Sequence, residues 1–383
     1  MKKIAILDTT NFMDFPIGGQ LSSIKNFLKY CHCEKDNNSK FILVGITNDT
    51  SHEIGKVNKI KVEDMQVDFL PVAYVNFNEN SVGQSLRKIF ISGIFKNIKS
   101  IKKQKIDIFY IHSIEALLPI VLNFYSKKIV LFSHGNFFAI TNFLRFGKKV
   151  PFIKQIIQCY IIFSLKYCDE VFVLDDKTKQ EYSKYTSSKK IIKVNNSIDL
   201  KIYDNDIYKE DKNKYKILYV GRLSENKGIQ NIIKSFMYID NDSITLDIVG
   251  LGEEHGKLKK IVKENNLHEK VKFLGKKIDE ELVSIYKKSD ILVMNSVTEG
   301  TPMVILEAMA SGLAIVTTPV GNIPYIVRQE YNGEYTDGEP KQIASKILKV
   351  IENLNMYKKN SKKESLNYSY MNVNKEIYKY LMR

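Results

Sequence analysis

The chain has 383 residues, of which 44% are hydrophobic and 26% are charged, and its formal net charge is +15. These values are typical of a soluble globular protein that is long enough for two domains, each with its own core. No apolar run reaches the roughly 20 residues of a transmembrane helix, and the four cysteines form no CxxC pair, which excludes a disulfide framework.

The first apolar run is too short for a signal peptide and ends at Asp8, so we predict a strand there and a cytoplasmic location for the protein. Cys31-His32-Cys33 could suggest a metal site, but two further ligands at plausible spacing are missing. We therefore expect these cysteines to be structural or incidental.

Apolar runs and helical patterns alternate along the chain, as they do in the βαβ units that build parallel sheets. The predicted strands of the first half are 3–8, 40–45, 108–112, 129–133, 171–174 and 191–194. Those of the second half are 216–220, 245–249, 271–274, 290–294 and 314–317. The polar run 203–214 has four acids and no apolar period, so it is the predicted linker. The sequence thus predicts an α/β protein with two Rossmann-like, doubly wound parallel-sheet domains facing across a cleft.

Gly18-Gly19 follows the first predicted strand and precedes an amphipathic helix that contains Leu21, Ile24 and Leu28. Paired glycines let a backbone approach a phosphate or a sugar closely. By itself the pair is a weak signal, because any turn between a strand and a helix can contain glycine.

The positive charge is concentrated between Asn80 and Cys168, where fourteen Lys or Arg residues face two acids, a balance of +12 that leaves +3 for the rest of the chain. Such a stretch suggests an anionic partner, either a lipid headgroup layer or nucleic acid. The alternative is a solvated lysine-rich face. Within it, 143–154 interleaves aromatic and aliphatic residues with Arg145, Lys148, Lys149 and Lys154, a pattern that favours docking to an anionic membrane surface.

Gly221-Arg222-Leu223-Ser224-Glu225-Asn226-Lys227-Gly228 follows a predicted strand and opens a helix. Two cations in a loop at the carboxyl end of a strand can converge on one diphosphate. Arginine offers a bidentate fork and lysine a compact charge.

The segment from Glu299 to Gly312 lies between the last two predicted strands and fits one short helix. Thr301 is a suitable N-cap, Pro302 a suitable first helical residue and Gly312 a suitable stop. Glu299 then lies in the loop and Glu307 inside the helix. In a parallel sheet this edge binds ligands, and the start of the helix attracts phosphate.

This segment resembles the signature of the family 4 retaining glycosyltransferases, also called glycosyl transferases group 1, which have the GT-B fold. The signature is Glu, seven residues, Glu, with Gly-x-Pro after the first and Ala-Met-Ala-x-Gly after the second, and all of it is present here. The loop 318–327 is similar to the family's Gly-Gly-x-Pro-Glu loop, but Asn322 replaces the second glycine and Tyr325 the glutamate. The resemblance is clear over about 215–335.

Smaller pieces also resemble the family. Residues 195–199 are similar to its Asn-Gly-Val-Asp turn, with Ser197 in place of glycine. Residues 250–253 and 273–276 are similar to the two loops around the nucleotide base. The last segment, 364–383, resembles the family's C-terminal helix, which packs back on the first domain. The predicted domains are therefore 1–200 on the acceptor side and 201–363 for the nucleotide-sugar donor.

The resemblance implies a retaining, hexosyl-type glycosyltransferase that uses a nucleotide-diphospho-sugar as substrate and needs neither cofactor nor metal. It implies that Arg222 and Lys227 bind the diphosphate, that Glu307 binds the ribose, and that Glu299 and His134 contact the donor sugar; His112 is a weaker candidate for the role of His134. The complete predicted donor-binding set is Gly18, Gly19, Gly221, Gly250, Gly275, Gly300, Thr301, Pro302, Met303, Val304 and Glu307.

Family members that act on lipid-linked acceptors often dock on membranes, so the expected acceptor is a cell-envelope polysaccharide or glycolipid precursor and the expected location the inner membrane face. One alternative is another nucleotide-sugar enzyme on the same fold, such as an epimerase, which would need acid–base groups that the sequence does not show. A second is a non-catalytic partner subunit that binds donor, which the replacements at 322 and 325 favour. A nucleic-acid binder is suggested by charge alone and explains neither Glu299 nor Glu307, so no nucleic-acid partner is expected.

Overall fold

The computed structural model describes residues 1–15, 19–34, 38–76, 86–134, 151–204 and 214–383, without the side chains of 151–154, 156 and 157. The chain forms two compact units. The first comprises 1–195 and 373–383, and the second comprises 196–372.

The first unit contains a sheet of eight strands in the order β3-β4-β2-β1-β5-β6-β7-β8. All neighbours are parallel except β3 and β4. The strands are β1 (Lys2–Leu7), β2 (Ser39–Thr47), β3 (Asn58–Val62), β4 (Met65–Tyr74), β5 (Ile108–Ile111), β6 (Lys128–Ser133), β7 (Glu170–Val173) and β8 (Ile191–Lys193). The helices are α1 (Gly19–Cys33), α2 (Leu86–Lys96), α3 (Ile98–Lys103), α4 (Leu117–Phe124), α5 (Pro151–Lys166) and α6 (Asp176–Ser183).

The second unit contains a sheet of six parallel strands in the order β11-β10-β9-β12-β13-β14. The strands are β9 (Tyr215–Val220), β10 (Ile244–Val249), β11 (Val271–Gly275), β12 (Ile291–Met294), β13 (Ala314–Thr317) and β14 (Gly333–Tyr335). The helices are α7 (Leu200–Tyr203), α8 (Ile229–Ser235), α9 (His255–Glu264), α10 (Asp279–Lys287), α11 (Met303–Ala310), α12 (Ile323–Ile326), α13 (Pro340–Glu352) and α14 (Leu354–Ser365). A last helix, α15 (Tyr370–Met382), begins in the second unit and lies mostly in the first.

Both faces of the second sheet are covered, which explains the continuous apolar runs of its strands. In β9, Ile217 and Tyr219 belong to one buried cluster, whereas Leu218 and Val220 belong to another. Because side chains alternate between the two faces of a strand, a strand that is buried on both faces is apolar at nearly every position.

The strand order of the second sheet reverses at β9 and β12, which are neighbours although they are far apart in the chain. The chain runs from β9 outward to β10 and β11, and from β12 outward to β13 and β14. In an open parallel sheet, such a switch point leaves a crevice at the carboxyl ends of the two central strands, where ligands bind. The loops after β9 and β12 flank this point.

All eleven predicted strands are present within one or two residues of their predicted ends, but the sequence analysis missed β3, β4 and β14. β4 contains Pro71, which normally argues against a strand. Here the register between β2 and β4 shifts directly after the pair Gly45–Pro71, so this irregularity accommodates the proline. β14 is three residues long and contains Glu334, which is fully buried with Lys346 2.9 Å away.

The boundary between the units also differs from the predicted 200/201. Residues 196–204 belong to the second unit because the backbone of Ile198 bonds to Tyr368 at 2.8 Å and to Tyr370 at 2.9 Å. The predicted C-terminal helix 364–383 is interrupted, since α14 ends at Ser365 and α15 starts at Tyr370. Most of the predicted linker, 205–213, lies outside the described residues.

Among the described residues, no helix combines the length and the apolar character that crossing a membrane requires.

Candidate active site

The loops after β9, β10 and β11 meet at the carboxyl edge of the second sheet and bring three predicted glycines together. The amide of Gly221 donates to Val249 O at 3.0 Å, and the amide of Gly250 donates to Gly275 O at 2.9 Å. Gly250 has a φ of +141°, and a β-carbon there would lie 1.8 Å from Gly221 O. Only glycine therefore lets these two loops approach so closely.

Arg222 lies on the exposed side of the loop after β9. Its Nε and Nη2 donate to one oxygen of Glu253, at 3.2 and 3.1 Å, and both side chains are more than half exposed. The neighbouring Leu223 is fully buried and its amide bonds to Leu251 O at 2.9 Å, which anchors the loop. The ion pair is weak because water competes for both groups, so an incoming anion can compete for Arg222.

Lys227 and Glu299 come together although 72 residues separate them. Lys227 Nζ donates to Glu299 Oε1 at 2.5 Å, and Ser296 Oγ donates to the same oxygen at 2.7 Å. Both charged side chains are largely buried, with 22% and 11% of their area exposed. This network joins the loop after β9 to the loop after β12, at the switch point of the sheet.

The backbone supports the same junction. The amide of Val297 donates to Asn226 O at 2.9 Å. Gly228 has a φ of +59°, and a β-carbon there would lie 2.4 Å from Asn295 O. A β-carbon on Gly321, whose φ is +58°, would lie 2.0 Å from Glu299 O. Larger residues at either position would push the loop of Glu299 out of place.

The start of α11 differs from the sequence prediction. The helix begins at Met303, and the flanking Pro302 has a ψ of 118°, so Pro302 is not the first helical residue. Thr301 is not the N-cap, because its hydroxyl accepts from Asn322 Nδ2 at 2.7 Å and its carbonyl accepts from Asn196 Nδ2 at 3.0 Å. The two asparagines thus hold the segment before the helix. Met303 and Val304 occupy the first helical positions, where amides have no intrahelical acceptor.

Glu307 lies in the middle of α11 and its Oε2 accepts from the hydroxyl of Tyr286 at 2.8 Å. Burial raises the pKa of Glu307, and the bond from Tyr286 partly offsets this effect. The ring of Tyr286 also contacts Tyr203, with 6.0 Å between the centroids. The predicted stop at Gly312 is confirmed, since its φ is +77° and its amide bonds to Met309 O at 2.9 Å.

In the first unit, Gly18 lies outside the described residues, and Gly19 is the first residue of α1. His134 follows β6, and its Nε2 lies 2.8 Å from Nδ1 of His112, which follows β5. Burial lowers the pKa of His134 to about 3 and lowers that of His112 well below its ordinary value, so both rings are neutral at physiological pH.

A buried acid lies at the same edge of this sheet. Asp8, which follows β1, is fully buried, and its Oδ1 accepts from Ser113 Oγ and from Gln20 Nε2. Gln20 Nε2 also donates to the carbonyl of His112 at 3.1 Å. Burial raises the pKa of Asp8 from 3.8 to about 6, although these hydrogen bonds oppose the shift and the charge of Glu115 adds to it. Asp8 therefore helps to hold the segment of His112.

Sequence reasoning missed several of these residues. The only signal for Asp8 was an acid directly after an apolar strand, and Glu253 lay unremarked beside the glycines of its loop. Nothing in the sequence around Tyr286 indicates a partner for Glu307. Asn322 was identified only as a departure from the family, but its contact with Thr301 gives it a place in the loop.

The chain is similar to known glycosyltransferases in sequence and in fold. The family model of the glycosyl transferases group 1 matches residues 203–365. An uncharacterized glycosyltransferase of Methanocaldococcus jannaschii is 31% identical over 264 residues, which are 64% of this chain and 66% of that protein. The UDP-Gal:alpha-D-GlcNAc-diphosphoundecaprenol alpha-1,3-galactosyltransferase of Escherichia coli is 27% identical over 318 residues, 74% of this chain and 80% of that protein. The match to the archaeal protein thus falls just short of two thirds of its length.

The crystal structure of HepE from Anabaena in complex with UDP superimposes with a TM-score of 0.74 at 16% identity, and the alignment covers 100% of both chains. At this identity the likeness concerns the fold, which is GT-B. Residues 203–365 thus resemble the group 1 glycosyltransferases in sequence, and the whole chain has the GT-B fold.

Proposed function

We propose that the protein is a retaining glycosyltransferase, which transfers a hexosyl group from a nucleotide-diphospho-sugar to an acceptor hydroxyl in the synthesis of a cell-envelope polysaccharide or glycolipid. The observation that carries this proposal is the Lys227–Glu299–Ser296 network at the switch point of the second sheet. It places a cation and a carboxylate side by side where a parallel sheet binds nucleotides.

In this function, Lys227 and Arg222 bind the diphosphate. Each cation is paired with a carboxylate, so a donor phosphate can replace Glu253 at the exposed Arg222 and can bind Lys227 beside Glu299, since a lysine ammonium has three donors. The amides at Met303 and Val304 add hydrogen bonds to a phosphate oxygen. Together these groups stabilise the charge that develops on the leaving diphosphate, which is the main electrostatic demand of the reaction.

Glu307 binds the ribose hydroxyls, because its carboxylate can accept from a hydroxyl while Tyr286 fixes its orientation. Glu299 accepts from hydroxyls of the donor sugar, and Ser296 and Lys227 restrict its rotamers. His134, being neutral, hydrogen-bonds a sugar hydroxyl without adding charge. The predicted glycines of the second unit, together with Thr301 and Pro302, shape the loops at this edge of the second sheet.

In the reaction, the bond between C1 of the sugar and the diphosphate oxygen breaks, and a bond from C1 to the acceptor oxygen forms on the same face. The acceptor proton passes to the departing phosphate oxygen, so atoms and charges balance without a protein base. We further propose that the reaction needs neither a cofactor nor a metal ion, because Lys227 and Arg222 supply the positive charge. Turnover that persists in a chelator supports this part, and loss that magnesium restores contradicts it.

A screen of nucleotide-sugars that follows release of nucleoside diphosphate tests the proposal. UDP-sugars are the first candidates, because the E. coli relative is named for UDP-Gal and HepE was solved with UDP. One donor should be hydrolysed slowly without acceptor, and the anomeric configuration of the product, read by NMR, should match the donor. Inversion would reject the retaining mechanism. Donor binding without any hydrolysis or transfer would favour the non-catalytic subunit.

The hydrogen bond from Asn322 to Thr301 weighs against the alternative of a non-catalytic subunit. It shows that asparagine, in place of the family's glycine, is compatible with an ordered loop. Tyr325, which replaces the family's glutamate, is 59% exposed.

We also propose that the protein lies on the inner face of the membrane, bound by its basic stretch. Residues 143–150 lie outside the described residues, so the support comes from their neighbours. Tyr160 and Phe163 of α5 and the adjacent Tyr167 are 51%, 42% and 43% exposed, and their spacing puts them on one side of the helix. On α4, which packs beside α5, Leu122 is 54% exposed.

Exposed aromatic residues among lysines suit the boundary between lipid headgroups and acyl chains. The protein should co-sediment with anionic vesicles, bind neutral ones poorly and be released by salt. Replacing Tyr160 and Phe163 with serine should weaken binding, whereas replacing the exposed Tyr238 of the second unit should not. Binding to nucleic acid in preference to vesicles would reject this proposal.

A further inference from the structure

The imidazole rings of His112 and His134 form a pair in the first unit. Nδ1 of His112 lies 2.8 Å from Nε2 of His134, and the ring centroids are 5.0 Å apart. Phe132 stacks on both rings, with centroid distances of 5.2 Å to His112 and 4.3 Å to His134. A contact of 2.8 Å between two neutral imidazoles requires one hydrogen on one of the two facing nitrogens.

The position of His112 is fixed from several sides. Its amide donates to Leu7 O at 2.9 Å, and its carbonyl accepts from Gln20, which also bonds to Asp8. The ring lies nearly parallel to that of Phe132, at 8°. Its Nδ1 is therefore held toward His134 and cannot turn away without disturbing the carboxyl edge of the sheet.

The other nitrogen of His112 decides which ring donates. Nε2 of His112 is buried and has no hydrogen-bond partner within the described part of the chain. If His134 donated from Nε2, the neutral His112 would carry its hydrogen on this buried nitrogen as an unpaired N–H. Buried unpaired N–H groups are rarer in proteins than incompletely paired acceptors. The arrangement with hydrogen on Nδ1 of His112 leaves only a lone pair there.

We infer that His112 is a positioning residue, which donates its Nδ1 hydrogen to Nε2 of His134 and so leaves His134 with its hydrogen on Nδ1. In this form, Nδ1 of His134, the ring nitrogen that does not face His112, is a hydrogen-bond donor and cannot accept a proton. His134 then recognises an oxygen with a free lone pair and does not act as the base for the acceptor hydroxyl. The application to the donor sugar rests on the proposed function; the assignment of the tautomer does not.

Long-range ¹H–¹⁵N NMR of the full chain labelled at its histidines distinguishes the two neutral tautomers directly. Signals are assigned with His112→Phe, which keeps a ring for stacking but removes the donor, and with His134→Ala. The matched control is His52→Phe, because His52 also bonds through Nδ1, to Thr47 Oγ1 at 2.8 Å, and also contacts a phenylalanine, at 5.6 Å.

In the wild-type protein, the hydrogen of both His112 and His134 should be on Nδ1. His112→Phe should shift His134 toward the Nε2–H form and lower kcat about tenfold with a smaller change in KM, whereas His52→Phe should change neither. His112→Asn, whose amide can donate from nearly the position of Nδ1, should restore part of the loss.

A hydrogen on Nε2 of His134 in the wild type, or an unchanged His134 signal in His112→Phe, would overturn the inference. If His112→Phe does not fold, the wild-type spectrum alone decides. The spectra require no substrate, so a protein with the expected tautomers but no turnover on any donor would reject the proposed function and leave this inference standing.

Discussion

The two polar clusters handle charge in opposite ways. In the second unit, Lys227 and Glu299 form an ion pair at 2.5 Å. In the first unit, burial keeps His112 and His134 neutral by lowering their pKa values. The first arrangement suits a ligand that carries charge, such as a diphosphate, and the second suits an uncharged ligand, such as a sugar. Four tests address this contrast, in order of decreasing expected effect.

Lys227→Ala should cause the largest loss of activity, since it removes the cation of the Lys227–Glu299 pair in the second unit. We expect kcat to fall about 10²–10³-fold, the usual cost of removing one group that stabilises a transition-state anion. Steady-state release of nucleoside diphosphate measures this. Lys260→Ala is the matched control, because it breaks an exposed ion pair with Glu264 in the same unit. A normal rate in Lys227→Ala, or an equal loss in the control, would remove Lys227 from the site.

Glu307→Ala should weaken donor binding by about 10- to 150-fold, because the hydroxyls it binds would lose a charged acceptor worth about 1.5–3 kcal/mol. Tyr286→Phe should have a smaller effect, since it removes only the hydroxyl that orients Glu307. Calorimetry with the donor measures both affinities, and thermal melting reports any change in stability. Affinity within twofold of wild type in Glu307→Ala would exclude the ribose role.

Asp8→Asn tests, through the pH dependence of stability, how burial affects the acid at the edge of the first sheet. The pKa of Asp8 in the folded protein is raised from 3.8 to about 6. Protonated Asp8 therefore contributes fully to the free energy of unfolding below about pH 4, and this contribution is lost as the pH rises through 6. That loss is at most about 3 kcal/mol. Asparagine does not titrate and keeps an oxygen for Ser113 and Gln20. The variant should therefore gain stability relative to wild type between about pH 4 and 7.

The two histidines have lowered folded pKa values, so their contribution has the opposite sign and is lost as the pH falls below about 6.5. The contribution of the histidines is the same in wild type and in Asp8→Asn, so it cancels in the difference between their free energies of unfolding. Urea unfolding at several pH values measures the difference, with Asp64→Asn as control because Asp64 is fully exposed. A difference that does not change with pH would show that Asp8 titrates normally.

The sequence predicted the second cluster better than the first, for a physical reason. Glu299 and Lys227 follow strands whose carboxyl ends share one edge, so the rules for parallel sheets bring them together. The side chains that support the rest of this site, such as Tyr286 on α10, which bonds to Glu307, and Asn196 before α7, which bonds to Thr301, come from other parts of the chain. Their contacts depend on packing rather than on local pattern.

The same limit explains the misplaced start of α11. Thr301 and Pro302 satisfy the local preferences for a helix start, but tertiary bonds from Asn322 and Asn196 hold Thr301 in another role. In the first unit, Asp8 and His112 each follow a predicted strand, and their edge of the sheet could be predicted. Their burial, which decides their charge, could not be read from single residues.

The smallest expected effect concerns Arg222, whose partner Glu253 competes with an incoming phosphate. Glu253→Gln removes the competing charge but keeps the shape of the side chain. The affinity for nucleoside diphosphate should then rise about twofold at low salt, because an exposed ion pair contributes little and the gain cannot be larger. High salt should abolish the difference, since it screens exposed charges. Glu254→Gln is the control, because Glu254 is adjacent but pairs with Lys257 at 2.9 Å. Weaker binding in Glu253→Gln would mean that Glu253 holds Arg222 in place for the ligand. The second unit would then use two carboxylates, Glu253 and Glu299, to position its two cations.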